Sequence, residues 1–317
     1  MPLLESSYRP AFWFRNGHWA TMYASKLRRL NSPYTSRERL ELPDGDFLDL
    51  DLIQQANSSK YCLLLHGLEG DANRVYMKGA ANTLGSAGWN VVAVNYRGCS
   101  GSANRKYYTY NAGKTDDLEF IIDHLISSKK PERIAMVGFS LGGNLLLKYL
   151  STQRPGWDRI EKAVAISAPL DLKETLLSLN RRENWVYRTY FLLSLKAKLK
   201  EKLKMFPDKL DPKVIREVGS LLDFDNIYTA PAHGFKDAFE YYAHSSCGQY
   251  LPKLKVPTLL LNAYNDSFLT PESYPVDLAK GAEFLYLETP EHGGHVGFVT
   301  SGGVYYSEQK MLEFLND

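Results

Sequence analysis

A serine flanked by glycines is the feature of this sequence that most directly indicates chemistry. The motif Gly138-Phe139-Ser140-Leu141-Gly142 has the spacing G-x-S-x-G, follows an apolar run and precedes an apolar helical segment. In that order of strand, tight turn and helix, such a motif holds the serine in a strained conformation with its hydroxyl exposed. A helix cap is the alternative interpretation, and the glycines favour a nucleophile. The motif therefore predicts that Ser140 attacks a carbonyl carbon.

A serine hydroxyl is a poor nucleophile unless a base lies within hydrogen-bond reach and a third group orients that base. Asp266 and His295 follow the motif in the chain order serine, acid, histidine, and each lies just past a strand-like run. Loops after the carboxyl ends of parallel strands converge on one edge of a sheet. We therefore predict a triad in which His295 takes and returns the proton of Ser140 and Asp266 orients the imidazole.

Two other residues compete for these roles. His292 precedes His295 by three positions, and the pair could also be a fragment of a metal site. The glycines before His295 favour that residue, and no further carboxylate and histidine spacing completes a metal site. Asp171 is the competing acid, but it could equally cap a helix. The sequence thus predicts neither a metal nor an organic cofactor.

Acyl transfer also requires N–H donors aimed at the developing oxyanion. One candidate is the backbone N–H of Leu141, directly after the nucleophile at a helix amino terminus. The other is the N–H of Leu68, within the turn His66-Gly67-Leu68-Glu69-Gly70 that follows the first central strand. We expect His66 to be a buried hydrogen-bonded anchor rather than a catalyst.

The elements that would position these residues alternate between strands and helices. Continuous apolar runs predict strands covered on both faces; they lie at Tyr61 to His66, Asn90 to Asn95, Arg133 to Gly138, Lys162 to Ser167, Val256 to Leu261 and Glu283 to Leu287. Helical patterns lie between or after them, at Asn73 to Ala87, Thr115 to Ser127, Leu141 to Ser151 and Val304 to Leu315. The alternating segment FLDLDLI at Phe47, after the turn Pro43-Asp44-Gly45, predicts an antiparallel edge hairpin. The fold class is α/β.

The alternation breaks between the fourth and fifth strands, which predicts one interrupted domain. Residues 37–170 and 248–317 would form the core, and residues 171–247 a helical lid or cap insertion. Within it, Leu195, Leu199 and Leu203 recur at helical spacing with lysines interleaved. We favour a solvated lid helix that packs its leucines over the pocket, with contact to an anionic membrane surface as the alternative. Residues 1–36 are rich in aromatic side chains and have no assignable fold.

Composition narrows the class of protein. The 317 residues carry 38 Lys+Arg against 36 Asp+Glu, a formal charge of +2 that gives no general attraction to nucleic acid. The cysteines at 62, 99 and 247 are scattered, which indicates a reducing compartment and no disulfide framework. A basic and apolar leader and a run of about 20 apolar residues are both lacking, so we expect a cytoplasmic protein with no transmembrane segment.

Two weaker signals are rejected. Gly113-Lys114-Thr115 resembles the end of a phosphate-binding loop, but the required earlier glycine is absent and no strand directly precedes the motif. Thr115 instead predicts a helix cap followed by favourable acids. Cys99 lies beyond a strand on the predicted active edge, and we assign it no catalytic role.

The segments HGLEG, NYRGCSG, GFSLGGNLLLKYL, NAYNDSF and GGHVGF together resemble the α/β-hydrolase superfamily and, within it, the YheT-like branch of predicted esterases and lipases, from about Asn16 to the chain end. The resemblance implies the α/β-hydrolase fold, a mostly parallel sheet with helices on both faces and a helical lid. It places the triad on Ser140, Asp266 and His295 and the oxyanion loop on Leu68. The segment from Asn16 to Thr21 resembles a family signature but departs from it at Trp19 and Ala20.

These observations predict a serine carboxylesterase or lipase that hydrolyses short- to medium-chain esters through an acyl-enzyme on Ser140. An acyltransferase and a non-catalytic ligand-binding protein are the alternatives. The sequence leaves open the natural substrate, the acyl-chain length and the oligomeric state.

Overall fold

A nine-stranded sheet forms the centre of the computed structural model, which describes residues 3–317. Met1 and Pro2, at the start of the predicted aromatic-rich segment, lie outside the described residues. The strands run in the spatial order β1-β9-β8-β7-β6-β4-β5-β3-β2. Their bounds are β1 (Leu3–Leu4), β2 (Ser36–Glu41), β3 (Phe47–Ile53), β4 (Lys60–Leu65), β5 (Asn90–Asn95), β6 (Arg133–Phe139), β7 (Ile160–Ile166), β8 (Thr258–Leu261) and β9 (Leu285–Glu288).

All pairings from β1 to β5 along that order are parallel, and β3 joins β5 and β2 in antiparallel pairs. The six apolar runs predicted as strands are β4 to β9, with ends that differ by at most two residues. Continuous apolar runs identify these strands because both faces of a parallel sheet are covered by helices.

Helices cover both faces of the sheet. They are α1 (Gly17–Met22), α2 (Val75–Ser86), α3 (Asp116–Lys129), α4 (Leu141–Ser151), α5 (Leu172–Leu179), α6 (Trp185–Met205), α7 (Val214–Glu217), α8 (Leu221–Phe224), α9 (Ala230–Ala232), α10 (Ala238–Ser245), α11 (Val276–Gly281) and α12 (Tyr306–Asn316). On one face, α2 and α12 pack in a core with Leu64 and Val91; on the other, α3 and α4 pack in a core with Leu63 and Leu65. Successive residues of β4 therefore serve opposite cores.

The predicted edge hairpin is present as β2 and β3, with the amide of Gly45 donating to the carbonyl of Leu42 in the turn. The alternation in β3 does not, however, mark a solvent-facing side, because all seven of its residues are buried. Asp49 and Asp51 accept paired hydrogen bonds from Arg39 and Arg37 on the neighbouring strand. Arginine side chains thus supply the partners that these two buried carboxylates require.

Residues 171–247 contain α5 to α10, in agreement with the helical character predicted for this segment. The expectation of solvated lysines on its long helix is wrong in part. Leu195 and Leu199 of α6 are buried as expected, but Lys198 and Lys202 are also buried. The Lys202 ammonium donates to the carbonyls of the loop that precedes α3, so the inward face of α6 mixes apolar and charged side chains.

The aromatic-rich amino-terminal segment extends the sheet and then passes along its carboxyl edge. β1 pairs with β9, and α1 begins after Asn16, whose side chain accepts from the N–H of Trp19. The buried Ala20 packs in this helix, whereas Trp19 is exposed. The segment to which we assigned no fold therefore contains ordered elements close to the carboxyl ends of β8 and β9.

Candidate active site

Ser140 lies in the sharp turn between β6 and α4. Its backbone angles, φ 54° and ψ −120°, fall in a region that residues other than glycine rarely adopt. The turn leaves no room for side chains at the flanking glycines. A Cβ on Gly138 would lie 2.4 Å from the carbonyl oxygen of Gly142, and a Cβ on Gly142 would lie 2.4 Å from the carbonyl oxygen of Leu65. The glycine spacing in the motif thus has a direct steric cause.

The structure brings Ser140, His295 and Asp266 together in one hydrogen-bonded chain. His295 Nε2 lies 2.9 Å from Ser140 Oγ, and His295 Nδ1 lies 2.7 Å from Asp266 Oδ2. The other carboxylate oxygen of Asp266 accepts from the N–H of Phe268, at 2.9 Å. The Asp266 side chain is fully buried and that of His295 is 11% exposed. In this arrangement Nδ1–H donates to the carboxylate, which leaves Nε2 free to accept a proton from the serine.

The imidazole of His295 is held by groups that sequence reasoning did not identify. The ring of Phe268 stacks on it with centroids 4.1 Å apart. The N–H of His295 donates to Thr21 Oγ1 at 2.8 Å, and the Thr21 hydroxyl donates to the carbonyl of Gly17. Asn265 accepts from the N–H of Gly294 and donates to a carbonyl of the amino-terminal segment. The only signal for these contacts in the sequence is the segment from Asn16 to Thr21.

The loop that carries Leu68 lies against the nucleophile, since a Cβ on Gly67 would be 3.1 Å from Ser140 Cβ. The N–H groups on either side of Leu68 are engaged: that of Gly67 donates to Tyr76 and that of Glu69 to Tyr110. Within residues 3–317, no hydrogen-bond acceptor takes the N–H of Leu68. The N–H of Leu141, in the first turn of α4, likewise has no intrahelical acceptor. Both predicted donors are therefore available near Ser140.

The residues that competed for the roles of His295 and Asp266 lie outside the hydrogen-bonded chain of Ser140. His292 lies 3.7 Å from Glu291 and makes no contact with Ser140. Asp171 accepts from the N–H of Glu174 as the cap of α5. His66 is fully buried between backbone groups, donating to the carbonyl of Gly67 and accepting from the N–H of Tyr96. Burial lowers the pKa of His66 to about 3, so this imidazole stays neutral and serves as an anchor, as expected.

The weaker signals also have structural explanations. Burial raises the pKa of the Cys99 thiol to about 12, so the thiolate needed for nucleophilic chemistry is not available. Thr115 does stand at the cap position of α3, but its side chain makes no capping hydrogen bond, contrary to our expectation. No group of three or more histidine, cysteine or acidic side chains that could hold a metal ion occurs among the described residues.

Two chambers meet at Ser140 and His295, both of which line each chamber. The first, of about 190 Å³, has walls from the amino-terminal segment, including Lys26 and Arg28, and from the first turns of α6. The second, of about 120 Å³, lies beneath α5, α6 and α8. Leucine and phenylalanine are the commonest side chains in its walls, namely Leu68, Leu141, Leu172, Leu176, Leu179, Phe191, Leu195, Leu221, Phe224, Phe268 and Leu269. Both chambers are lined mainly by apolar side chains and each also carries charged ones, Lys26 and Arg28 in the first and Glu69 and Asp225 in the second.

Comparison with known proteins places this architecture in a family. The model of the alpha/beta hydrolase fold family matches residues 63–301. The chain is 34% identical over 315 residues to the Escherichia coli protein named "Putative esterase YheT", covering 98% of this chain and 91% of that protein. It is 27% identical to Phospholipase ABHD3 of Mus musculus, over 94% of this chain and 74% of the relative. It is 28% identical to Monoacylglycerol lipase of Saccharomyces cerevisiae, over 93% and 66%.

Solved structures agree in fold. The esterase Pf2001 of Pyrococcus furiosus superposes with a TM-score of 0.60 at 19% identity, covering 91% of this chain and 96% of that structure. Across residues 3–317, no helix has both the length and the apolar character needed to cross a membrane. The family match and the similarity to YheT together cover nearly the whole chain. The chain therefore belongs to the α/β-hydrolase fold family, in the branch that includes YheT.

Proposed function

We propose that this protein is a serine carboxylesterase or lipase that cleaves short- to medium-chain esters through an acyl-enzyme on Ser140. The observation that carries the proposal is the hydrogen-bonded chain from Ser140 Oγ through His295 to Asp266, with distances of 2.9 and 2.7 Å. Catalytic groups within hydrogen-bond reach of one another are the geometry that an activated serine requires.

In the acylation step, Ser140 Oγ forms a bond to the carbonyl carbon as its proton passes to His295 Nε2. The carbonyl oxygen gains the displaced electron pair, and the N–H groups of Leu68 and Leu141 donate to it. As the tetrahedral intermediate collapses, the bond to the alcohol oxygen breaks and His295 returns the proton to that oxygen. Asp266 stabilises the imidazolium throughout. Water then repeats the sequence on the acyl-enzyme and releases the acid.

The chamber beneath α5, α6 and α8, with its leucine and phenylalanine side chains, is the proposed acyl site, and residues 171–247 act as the lid that encloses it. Burial of a methylene is worth about 0.8 kcal/mol, so a wall of leucine and phenylalanine side chains favours an alkyl chain over a polar group. The names of two relatives, a phospholipase and a monoacylglycerol lipase, support an ester with an acyl chain as substrate. A small-molecule ester is thus the proposed partner, rather than nucleic acid.

We also propose a cytoplasmic location. All three cysteines are free thiols, and Cys62 and Cys247 are fully buried. Burial raises the pKa of both thiols well above the usual range, which keeps them protonated and inert. Unpaired cysteines are typical of a reducing compartment.

The test uses a fluorophosphonate probe and nitrophenyl esters of graded acyl length. We expect one adduct, located by mass spectrometry on Ser140, and hydrolysis that falls by at least about 10⁴-fold in Ser140→Ala. Ser127→Ala, on the exposed side of α3, is the matched control and should retain full activity. A folded Ser140→Ala that still hydrolyses esters would exclude the proposed nucleophile, and no adduct on the wild type would favour a non-catalytic binder. Added alcohol that diverts the product to a new ester would identify an acyltransferase.

A further inference from the structure

Glu69 is a buried carboxylate that joins the loop of Leu68 to helix α6. It directly follows Leu68, and its side chain is 4% exposed. Its backbone has φ 51°, a left-handed conformation that is unfavourable for a residue with a side chain. Such a conformation persists only where the surrounding contacts hold it. The contacts of Glu69 therefore influence the direction of the N–H of Leu68, the residue before it.

Both carboxylate oxygens of Glu69 are taken up by groups from other segments. Lys198 Nζ lies 2.5 Å from Oε1, and the Ser194 hydroxyl donates to Oε2 at 2.8 Å. Ser194 and Lys198 are one turn apart on α6, so this helix binds the carboxylate from two successive turns. The hydroxyl of Tyr110 donates to Oε1 at 2.9 Å and accepts from the N–H of Glu69.

The environment of this ion pair makes it a strong link. Lys198 Nζ also lies 3.3 Å from Cys99 Sγ, and its side chain is 8% exposed. The carbonyl of Glu69 accepts from Arg74 at 2.5 Å. Removing one member of a buried pair leaves the other charge without its partner, which is far more costly than losing an exposed pair. The position of α6 against the loop of Leu68 and the backbone conformation of Glu69 thus depend on each other.

We propose that Glu69 and Lys198 are positioning residues that couple the seating of α6 to the aim of the Leu68 N–H at the oxyanion. The inference rests on the proposed esterase function. With α6 in place, the ion pair holds Glu69 in its left-handed conformation, and the Leu68 N–H faces the carbonyl oxygen of the substrate. When α6 lifts, Glu69 relaxes, the chain on either side of it turns, and the donor is lost. The oxyanion site is therefore complete only when the acyl chamber is covered.

Lys202 provides a matched control. It lies one turn beyond Lys198 on the same helix and is also buried, but its ammonium donates to the carbonyls of Asn104 and Lys106, 2.7 and 2.6 Å away. Lys202→Met thus removes a buried ammonium from the same helix and leaves every contact between α6 and Glu69 in place. We compare it with Glu69→Gln, Lys198→Met and the double variant.

The first measurement is kcat and KM for a nitrophenyl ester and for its thionoester, in which sulfur replaces the carbonyl oxygen. We expect Glu69→Gln and Lys198→Met to lower kcat for the oxygen ester by about 10–100-fold, less than the complete loss of a donor, with KM nearly unchanged. The preference for oxygen over sulfur should shrink in both. The double variant should be no worse than either single variant, because the two residues act as one unit. Lys202→Met should keep the wild-type kcat and oxygen preference.

The second measurement does not depend on activity. Hydrogen exchange of the segment 66–72 should become at least about tenfold faster in Glu69→Gln and Lys198→Met and stay unchanged in Lys202→Met. An inactive wild type with this exchange pattern would refute the esterase and leave the coupling established. An active wild type in which Glu69→Gln retains its kcat and slow exchange, or matches Lys202→Met in both, would overturn the coupling itself.

Discussion

The histidine side and the oxyanion side of this site are supported in different ways. On the histidine side, the amino-terminal segment contacts the loop of His295 through short groups, chiefly the Thr21 hydroxyl and backbone N–H and carbonyl groups. On the oxyanion side, the long side chain of Lys198 joins α6 to Glu69 in the loop of Leu68. A short side chain loses little conformational entropy when it is fixed in a hydrogen bond. A lysine side chain loses more, so its contact is more easily broken. The contacts on the histidine side therefore suit a base that stays in place. The contact between Lys198 and Glu69 suits an oxyanion loop that responds to the position of the lid.

The largest effect in this comparison is expected from Thr21→Val. Valine has nearly the same shape as threonine but cannot accept the N–H of His295, which is 2.8 Å from Thr21 Oγ1. A small displacement of the imidazole should lower kcat by about 10–100-fold with little change in KM. Steady-state kinetics on a nitrophenyl ester measures both parameters. Thr21→Ser keeps the hydroxyl and should retain most of the activity; equal activity in all three proteins would show that the amino-terminal support is dispensable.

A smaller, selective effect is expected on the lid side from Leu172→Trp. Leu172 is half-buried in α5 and lines the proposed acyl site, so the larger ring should shorten the space for an acyl chain. Activity on the longest accepted chains should fall by about tenfold while the shortest esters are hydrolysed as before. Leu177→Trp, at an exposed position of the same helix, is the control. An unchanged profile of acyl length would place the acyl chain in the other chamber.

The smallest effect concerns the stability of the insertion, through Asp225 at the wall of the same chamber. Burial raises the pKa of Asp225 to about 6, although Tyr242 donates to its carboxylate. A raised pKa in the folded state means that folding favours the protonated form. Its stabilising contribution is therefore complete below the unfolded pKa, near 3.8, and is lost as the pH rises through about 6.

Asp225→Asn mimics the protonated form and still accepts from Tyr242, so its Tm should lie close to that of the wild type at pH 4 and exceed it by a few degrees at pH 8. Thermal unfolding followed by circular dichroism measures the difference. Asp208→Asn, at an exposed position of the same insertion, should show no such pH dependence. A wild type that is the more stable protein at pH 8 would contradict the assignment.

Local sequence patterns were enough to predict every strand of the sheet except β1, and to predict that Ser140, Asp266 and His295 follow strands. The apolar runs of β4 to β9 are recognisable because each strand must be apolar on both faces, wherever it lies in the chain. The glycines at 138 and 142 reflect backbone contacts within one turn. The order of Ser140, Asp266 and His295 could be read because each lies at the carboxyl end of a predicted strand. These features depend on neighbouring residues and on general rules of sheet geometry.

The tertiary structure alone decided which distant polar groups meet. Asp49 and Asp51 alternate with apolar residues in β3, yet both are buried and paired with arginines on β2. Lys198 appears to be one of several solvated lysines, yet Glu69, 129 positions earlier, brings it inside. The segment from Asn16 to Thr21 resembles a family signature, yet nothing in it indicates that Thr21 accepts from the N–H of His295, 274 positions away. The physical reason is common to all three: burial of a polar or charged group is stable only when a specific partner satisfies it, and periodicity within one segment carries no information about a partner in another.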